Sequence, residues 1–273
     1  MKLRLQPWFT DACATFLNNL FKWYPECVKS QISVLEWGGG NSTLYFLGKG
    51  CKILTVESDE AYIANLLDIS RGLGFKATSV DSTSDVSSKF EMFDLIILKA
   101  SGFEQVGVEI FKLRQWSIIV NDGISRKDVM DAIATNRPSS IIVLDNVEYS
   151  ANWGKLERCS AHPDRVRSYR SILRDSNWRH YLFEQPEGRD GHSAADSVGW
   201  EAPHRWLSGI LWPNDHLLAT LMVSNIGLPL VTIEGLDDAD VETLPERCPF
   251  DWSKMEWRVD KYTEVFTLPR NFD

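Results

Sequence analysis

Short apolar runs alternate with segments of helical spacing along the first half of the chain. The run at 32–37 predicts a first strand, and the runs at 52–57 and 75–80 predict the next two. Helices are predicted from 41 or 42 and over 61–72, the second ending at one of two glycines. An earlier helix is predicted within 8–29 from one apolar face: Phe9, Cys13, Phe16, Leu20 and Trp23. Strands that alternate with helices in this way predict an α/β fold with a mostly parallel sheet.

Three further apolar runs, at 93–98, 117–120 and 140–144, leave two assignments open for the fourth and fifth strands. In the first, 93–98 is the fourth strand. In the second, 118–120 is the fourth, 141–144 is the fifth, and residues 90–115 form an extra strand-and-helix unit. We prefer the second, because Asp122 and Asp145 then follow successive strands at the edge where open α/β sheets bind ligands.

The second half of the chain contains two stretches rich in aromatic and apolar residues, at 178–184 and 206–212. The polar segment between them has the composition of a long loop that covers a site. Acids and prolines interrupt residues 237–273, which predicts an extended tail. The expected organisation is an N-terminal helical segment at 1–30, a domain at 31–225 and a C-terminal extension at 226–273.

Composition narrows the classes of partner. A net charge of −9, from 29 basic and 38 acidic residues, argues against duplex nucleic acid, which is bound through Lys and Arg. The five cysteines are odd in number and lack paired metal spacing, so reduced thiols and a cytoplasmic location are expected. Polar residues interrupt the apolar N-terminal residues, so neither a signal segment nor a membrane anchor is expected.

The most specific pattern is a run of glycines that follows the first strand. Gly38, Gly39 and Gly40 separate that strand from a helix, so a ligand can approach bare backbone and the N–H groups at the start of the helix. Glu57 ends the next strand, 21 residues after Glu36, where a βαβ unit binds two ribose hydroxyls. The pattern predicts a site for a nucleoside cofactor.

Two other nucleotide motifs fit less well. A dinucleotide fingerprint that begins at Gly38 requires a third glycine where this chain has Thr43. A P-loop requires Gly-Lys-Ser/Thr, whereas residues 48–50 are Gly-Lys-Gly. A site for the pyrophosphate of a dinucleotide and a site for a nucleoside triphosphate are therefore both disfavoured.

Residues 36–43, Glu-Trp-Gly-Gly-Gly-Asn-Ser-Thr, resemble the Asp/Glu-x-Gly-x-Gly-x-Ser/Thr motif of class I S-adenosylmethionine (SAM)-dependent methyltransferases. The resemblance implies a Rossmann-like, doubly wound sheet with an antiparallel terminal strand pair, formed by residues 178–184 and 206–212. It implies SAM as the cofactor, with its methionine end at the glycines, its ribose at Glu57 and its adenine near Asp81. An Asp-Ser-Thr-Ser turn is the alternative for Asp81. The predicted cofactor residues are Glu36, Gly38, Gly39, Gly40, Asn41, Ser42, Thr43, Glu57, Ser58 and Asp81.

A metal site is predicted from polar residues at two strand ends. Asp122, Asp145 and Asn146 carry the hard oxygen ligands that suit Mg²⁺. Their placement resembles that in catechol-type O-methyltransferases, in which the ion would lower the pKa of a substrate hydroxyl. The alternative is that these residues form an ordinary turn and the start of a loop.

A second comparison needs no metal. Residues 120–126 and 144–146 also resemble the Asp-Gly-x-x-Arg and Asp-Asn pair of methyltransferases that act on polysaccharides or other small acceptors. Arg126 would then hold an acidic substrate. The alternative is that Arg126 is a solvated surface residue. His162, His192 and His204 are candidate bases. The predicted catalytic set is Asp122, Asp145, Arg126 and His162.

These patterns predict an enzyme that transfers a methyl group from SAM to an oxygen, less favourably a nitrogen, of a small molecule or saccharide. The alternative is a regulatory or assembly protein that binds a nucleoside on the same fold without turnover. A short-chain oxidoreductase is disfavoured by Thr43 and by the expected absence of a Tyr-x-x-x-Lys catalytic pair. The expected partners are the acceptor and a second copy of the chain in a homo-oligomer, and neither duplex nucleic acid nor a membrane.

Overall fold

The computed structural model describes residues 9, 11–23, 31–122, 126–144, 177–185, 206–213, 215–216 and 219. They belong to two compact units. The first unit holds the described residues from 21 to 143, and the second holds those from 9 to 20 and from 144 onward.

The first unit alternates strands with helices, as predicted. Its strands are β1 Ser33–Trp37, β2 Lys52–Glu57, β3 Ala77–Val80, β4 Leu95–Lys99, β5 Ile118–Asn121 and β6 Ile141–Leu144. Helix α1, Asp11–Trp23, belongs mostly to the second unit. The helices of the first unit are α2 Asn41–Gly48, α3 Glu60–Gly72, α4 Thr83–Lys89, α5 Phe103–Val106, α6 Glu109–Lys112 and α7 Arg126–Asn136.

The six described strands of this unit lie in the order β3-β4-β2-β1-β5-β6. Strand β1 pairs in parallel with β2 and β5, and β4 pairs in parallel with β2 and β3. Every residue of β1, β5 and β6 is buried, which is typical of parallel strands covered on both faces. Together with the strand pair of the second unit, this arrangement confirms the predicted fold class, a Rossmann-like, mostly parallel sheet with an antiparallel terminal pair.

Strand β4 decides between the two assignments left open by the sequence. Leu95–Lys99 lies between β2 and β3, whereas Ile118–Asn121 pairs directly with β1. The second assignment is confirmed: residues 90–115 are an extra strand-and-helix unit that enters the sheet on the far side of β2.

The extra unit is tied to β2 at the amino-terminal edge of the sheet. Lys52 Nζ lies 2.9 Å from Glu91 Oε2, and Arg114 Nη1 lies 3.3 Å from Glu91 Oε1. The Arg114 guanidinium also sits 4.0 Å from the centre of the Phe90 ring. The two cations lower the pKa of the exposed Glu91 carboxyl, Lys52 more than Arg114. These contacts link β2, β4 and β5 at the edge opposite their carboxyl ends.

The second unit contains the predicted antiparallel pair. Strands β7 Trp178–Gln185 and β8 Trp206–Pro213 are paired over their full length, with Trp178 opposite Pro213. The Phe16 ring of α1 stacks on the buried Trp212 ring at 5.8 Å. Both the helix within 8–29 and the strand pair are therefore confirmed. The predicted domain limits remain predictions, and residues 226–273 lie outside the described residues.

None of the helices that the structure describes is both long enough and apolar enough to cross a membrane.

Candidate functional site

Each glycine of the turn after β1 has a structural requirement. Gly38 has φ +85°, a conformation that favours glycine. A Cβ atom at Gly39 would lie 3.0 Å from Leu66 Cδ2 and 3.2 Å from Thr55 Oγ1. A Cβ atom at Gly40 would lie 2.8 Å from the Tyr62 hydroxyl. Because these glycines have no side chains, the turn can pack closely against β2 and α3.

Glu36 ties the end of β1 to the first turn of α2. Its carboxylate accepts hydrogen bonds of 2.5 Å from both hydroxyls, at Oε1 from Ser42 and at Oε2 from Thr43. The Thr43 hydroxyl also accepts the Gly40 N–H at 2.8 Å. Glu36 is fully buried, so its oxygens act on the turn itself. We call Glu36, Ser42 and Thr43 the carboxylate clamp.

Burial and hydrogen bonding act in opposite directions on the Glu36 carboxyl. Desolvation raises its pKa to about 7, although the Ser42 and Thr43 hydroxyls lower it. The nearby Asp122 carboxylate raises the pKa further. The charge of Glu36 therefore changes near neutral pH.

Glu57 ends β2 and is half-buried. Its Oε1 accepts the backbone N–H groups of Ser58 at 2.7 Å and Asp59 at 3.0 Å. Its Oε2 has no hydrogen-bond partner among the described residues. One oxygen is thus fixed by the backbone, while the other is available to a ligand.

Asp122 follows β5, the neighbour of β1 on the side away from β2. Its backbone N–H donates to the Trp37 carbonyl at 3.1 Å, and Asn121 lies opposite Trp37 in the register of the strands. The chain leaves β1 toward β2 and leaves β5 toward β6, so connections diverge on either side of this pair. Such a switch point is where open α/β sheets form a ligand crevice. Asp122 and the glycine turn share this point.

The role of Asp81 near the adenine stays a prediction, and the strand order bears on it. Asp81 follows β3 and is exposed, but β4 lies between β3 and β2. At about 4.8 Å per strand, the end of β3 is about 10 Å from the end of β2. The segment next to Glu57 is instead the end of β4, where the Ala100 N–H donates to the Glu57 carbonyl at 3.1 Å.

The residues that follow β4 extend from Glu57 toward β1. Lys99, opposite Glu57 in register, has its Nζ 3.3 Å from Glu60 Oε2. The Phe103 ring lies 6.1 Å from the Trp37 ring. Residues 99–103 therefore border the ends of both β2 and β1, a position that the sequence alone did not reveal because the strand order was open.

Several predicted site residues lie outside the described residues: Asp145, Asn146, His162, His192 and His204. Arg126 begins α7, but its side chain is not among the groups that the structure describes. Within the described ranges, no three His, Cys, Asp or Glu side chains are grouped so that they could hold a metal ion. Asp122 is the one predicted metal ligand that the structure describes, so the fit of the ligand set stays untested.

Two tyrosines near the site were not singled out by the sequence patterns. Tyr62, in the first turn of α3, reaches Gly40. Tyr45 and Lys49 have the Tyr-x-x-x-Lys spacing of short-chain oxidoreductases, but Tyr45 is buried against Phe21 and Phe46, with Lys49 Nζ 5.2 Å from its ring centre. The chain thus contains this spacing, contrary to expectation, but Tyr45 packs in the core and Lys49 is half-buried.

No family model matches the sequence, and no curated protein resembles it closely enough to count as a relative. Similar solved structures include the Bacillus cereus O-methyltransferase in complex with S-adenosylhomocysteine (SAH), at 16% identity and TM-score 0.38, with 75% of this chain and 91% of that chain covered. The Geobacter metallireducens precorrin-6y C5,15-methyltransferase is similar at 14% identity and TM-score 0.39, with 73% and 86% covered. An SAH-bound Podospora anserina methyltransferase is similar at 11% identity and TM-score 0.40, with 75% and 88% covered. Likenesses this distant carry no argument about chemistry.

Proposed function

We propose that this chain is a SAM-dependent methyltransferase that methylates an oxygen of a small molecule or saccharide, with nitrogen as the less favoured acceptor atom. The observation that carries the proposal is the pairing of the glycine turn after β1 with Glu57 after β2. These two features end adjacent parallel strands, so one nucleoside can contact both.

The ribose is assigned to Glu57. Two backbone N–H groups orient its carboxylate through Oε1, and Oε2 has no partner among the described residues. A carboxylate oxygen has two lone pairs and accepts hydrogen bonds only, which suits two adjacent sugar hydroxyls. Ser58 then helps to hold the Glu57 carboxylate in place through its backbone N–H.

The methionine end is assigned to the glycine turn and the start of α2. Backbone N–H groups at a helix N-terminus favour an anion, here the carboxylate of the cofactor's amino acid. Glu36 acts as a positioning residue through the carboxylate clamp. Asp122 adds negative charge beside the turn, which favours the positive sulfonium and ammonium groups of SAM.

The adenine is assigned to the segment after β4. Residues 99–103 lie at the end of the strand next to Glu57, and the Phe103 ring of this segment contacts Trp37. Asp81 is one strand further away. We therefore propose the 99–103 segment as the wall of the base pocket in place of Asp81.

When bound, SAM supplies an activated methyl group on a sulfonium that leaves as a neutral thioether. The chain must then hold the acceptor oxygen in line with the methyl carbon and accept its proton. Asp122, Arg126, Asp145 and His162 are the proposed acceptor-side residues. Mg²⁺ at Asp122, Asp145 and Asn146 stays a prediction from the sequence, and no step is routed through it.

Calorimetric titration with SAM, SAH and NAD tests the proposal. We expect heat from both sulfur compounds and none from NAD. Absence of binding by SAM and SAH would overturn it. A screen for methyl transfer from labelled SAM to fractions of cell extract then separates an enzyme from a nucleoside-binding regulatory protein, which would bind SAM without turnover.

A further inference from the structure

Tyr62 reaches from α3 to the glycine turn. Its backbone N–H donates to the Asp59 side chain at 2.9 Å, which caps the helix and places Tyr62 in the first turn. Its hydroxyl lies so close to Gly40 that a Cβ atom there would be 2.8 Å away. The ring is half-buried, and its hydroxyl end lies beside Gly40 in the turn that follows β1.

The hydroxyl of Tyr62 has no hydrogen-bond partner within the described ranges of the chain. Desolvation raises the pKa of Tyr62, and the nearby carboxylates of Glu36, Glu57 and Asp122 raise it further. The phenol therefore keeps its proton at neutral pH and can both donate and accept a hydrogen bond. A half-buried group of this kind, beside bare backbone, is available to a ligand.

We infer that Tyr62 is a second ribose-binding residue, acting beside Glu57 on one of the two sugar hydroxyls, an inference that rests on the proposed SAM site. Tyr62 and Glu57 flank the same β2–α3 connection and are close enough to interact electrostatically. A sugar hydroxyl is neutral and pairs with a group that both donates and accepts.

Tyr62→Phe tests the inference because it removes the hydroxyl and keeps the ring. Calorimetry with SAH should show affinity about fivefold to tenfold lower than that of the wild type, the effect of one neutral hydrogen bond. Thermal unfolding without ligand should not change, since the hydroxyl has no partner among the described residues. Tyr45→Phe is the matched control, since the buried Tyr45 ring packs against Phe21 and Phe46, and its affinity should equal the wild-type value.

The 2′-deoxy and 3′-deoxy forms of SAH identify the hydroxyl. With the analogue that lacks the contacted group, wild type and Tyr62→Phe should bind equally. Equal binding of intact SAH by both proteins would overturn the role of Tyr62, as would an equal loss with SAH and both deoxy analogues, which indicates packing alone. Failure of the wild type to bind SAM or SAH would overturn the proposed function itself, so the two failures are distinguishable.

Discussion

The Thr43 hydroxyl donates a 2.5 Å hydrogen bond to the Glu36 carboxylate, across the turn between β1 and α2. The same oxygen accepts the Gly40 N–H, so Thr43 binds a side chain and the backbone of the turn at once. In a dinucleotide fingerprint this position is a glycine that permits close packing of helix and strand. Thr43 holds the helix to the strand through a buried acid instead.

The clamp predicts a decrease in stability with rising pH. The folded protein releases the Glu36 proton near pH 7, whereas the unfolded chain releases it near 4.5, the ordinary pKa of this carboxyl. Between these values the folded state binds more protons, so the free energy of unfolding falls by about 3 kcal/mol as pH rises from about 4.5 to about 7, and is then constant. Urea unfolding of the wild type and Glu36→Gln across this range measures it.

Glu36→Gln is the matched reference because it keeps the shape and cannot ionise. The free energy of unfolding of the wild type relative to this variant should fall steadily up to about pH 7. Parallel curves for the two proteins would show that the Glu36 carboxyl has no raised pKa in the folded state.

Removing the charge of Glu57 should weaken binding of the cofactor without unfolding the protein. Hydrogen bonds to charged groups contribute about 1.5–3 kcal/mol, so Glu57→Gln should lower the affinity for SAH about 10-fold to 150-fold by calorimetry. Asp68→Asn is the control, since Asp68 is an exposed acid on α3 and its replacement should leave affinity within about twofold. Similar affinities for both variants would mean that the ribose lies elsewhere.

The close contacts at Gly39 predict a packing defect. Gly39→Ala would place its Cβ against Thr55 on β2 and Leu66 on α3, and should lower the free energy of unfolding by about 1–3 kcal/mol. Gly72→Ala, in a helix with open space around it, should be neutral or stabilising by about 0.5–1 kcal/mol. Chemical denaturation compares the two. If the Gly39 variant matched wild-type stability, the turn would not be packed as described.

The first three strands could be predicted because each has a local signature, whereas the terminal pair was implied by the family resemblance. Continuous apolar runs between turn residues are sufficient to mark parallel strands. The order of the strands has no such signature, because the position of β4 depends on long-range pairing with β2 and β3. The sequence could show that Asp122 follows the end of a strand. It could not show that the end of β4 lies next to Glu57.

The candidate site shows the same division. Glu36, the glycines and Glu57 were identified from spacing, since the βαβ unit places them within one local stretch. Tyr62 was missed because an aromatic residue in the first turn of a helix is ordinary in the sequence. Its contact with Gly40 exists only when α3 packs beside the turn. Sequence spacing could not show that both Glu36 oxygens bind hydroxyls within the chain.

Asp122 should distinguish SAM from SAH, which differ by the positive charge on sulfur. Two opposite unit charges about 4 Å apart in water attract each other by about 1 kcal/mol. Asp122→Asn should therefore weaken the binding of SAM about fivefold more than the binding of SAH. Calorimetry with both ligands measures the ratio. Asp68→Asn, an exposed acid on α3, should leave the ratio unchanged. An equal loss for the two ligands would remove Asp122 from the surroundings of the sulfonium.

The inserted strand predicts where the adenine binds. Ser101, after β4, and Asp81, after β3, are both exposed, so each can be replaced by cysteine without disturbing the core. Saturating SAH should slow alkylation of the cysteine in Ser101→Cys and leave that in Asp81→Cys unchanged, because the base would cover the end of β4 only. Mass spectrometry of the modified peptide separates each site from the native cysteines. Protection of the Asp81 variant alone would instead support the position implied by the family motif, with the base reaching past β4 to the end of β3.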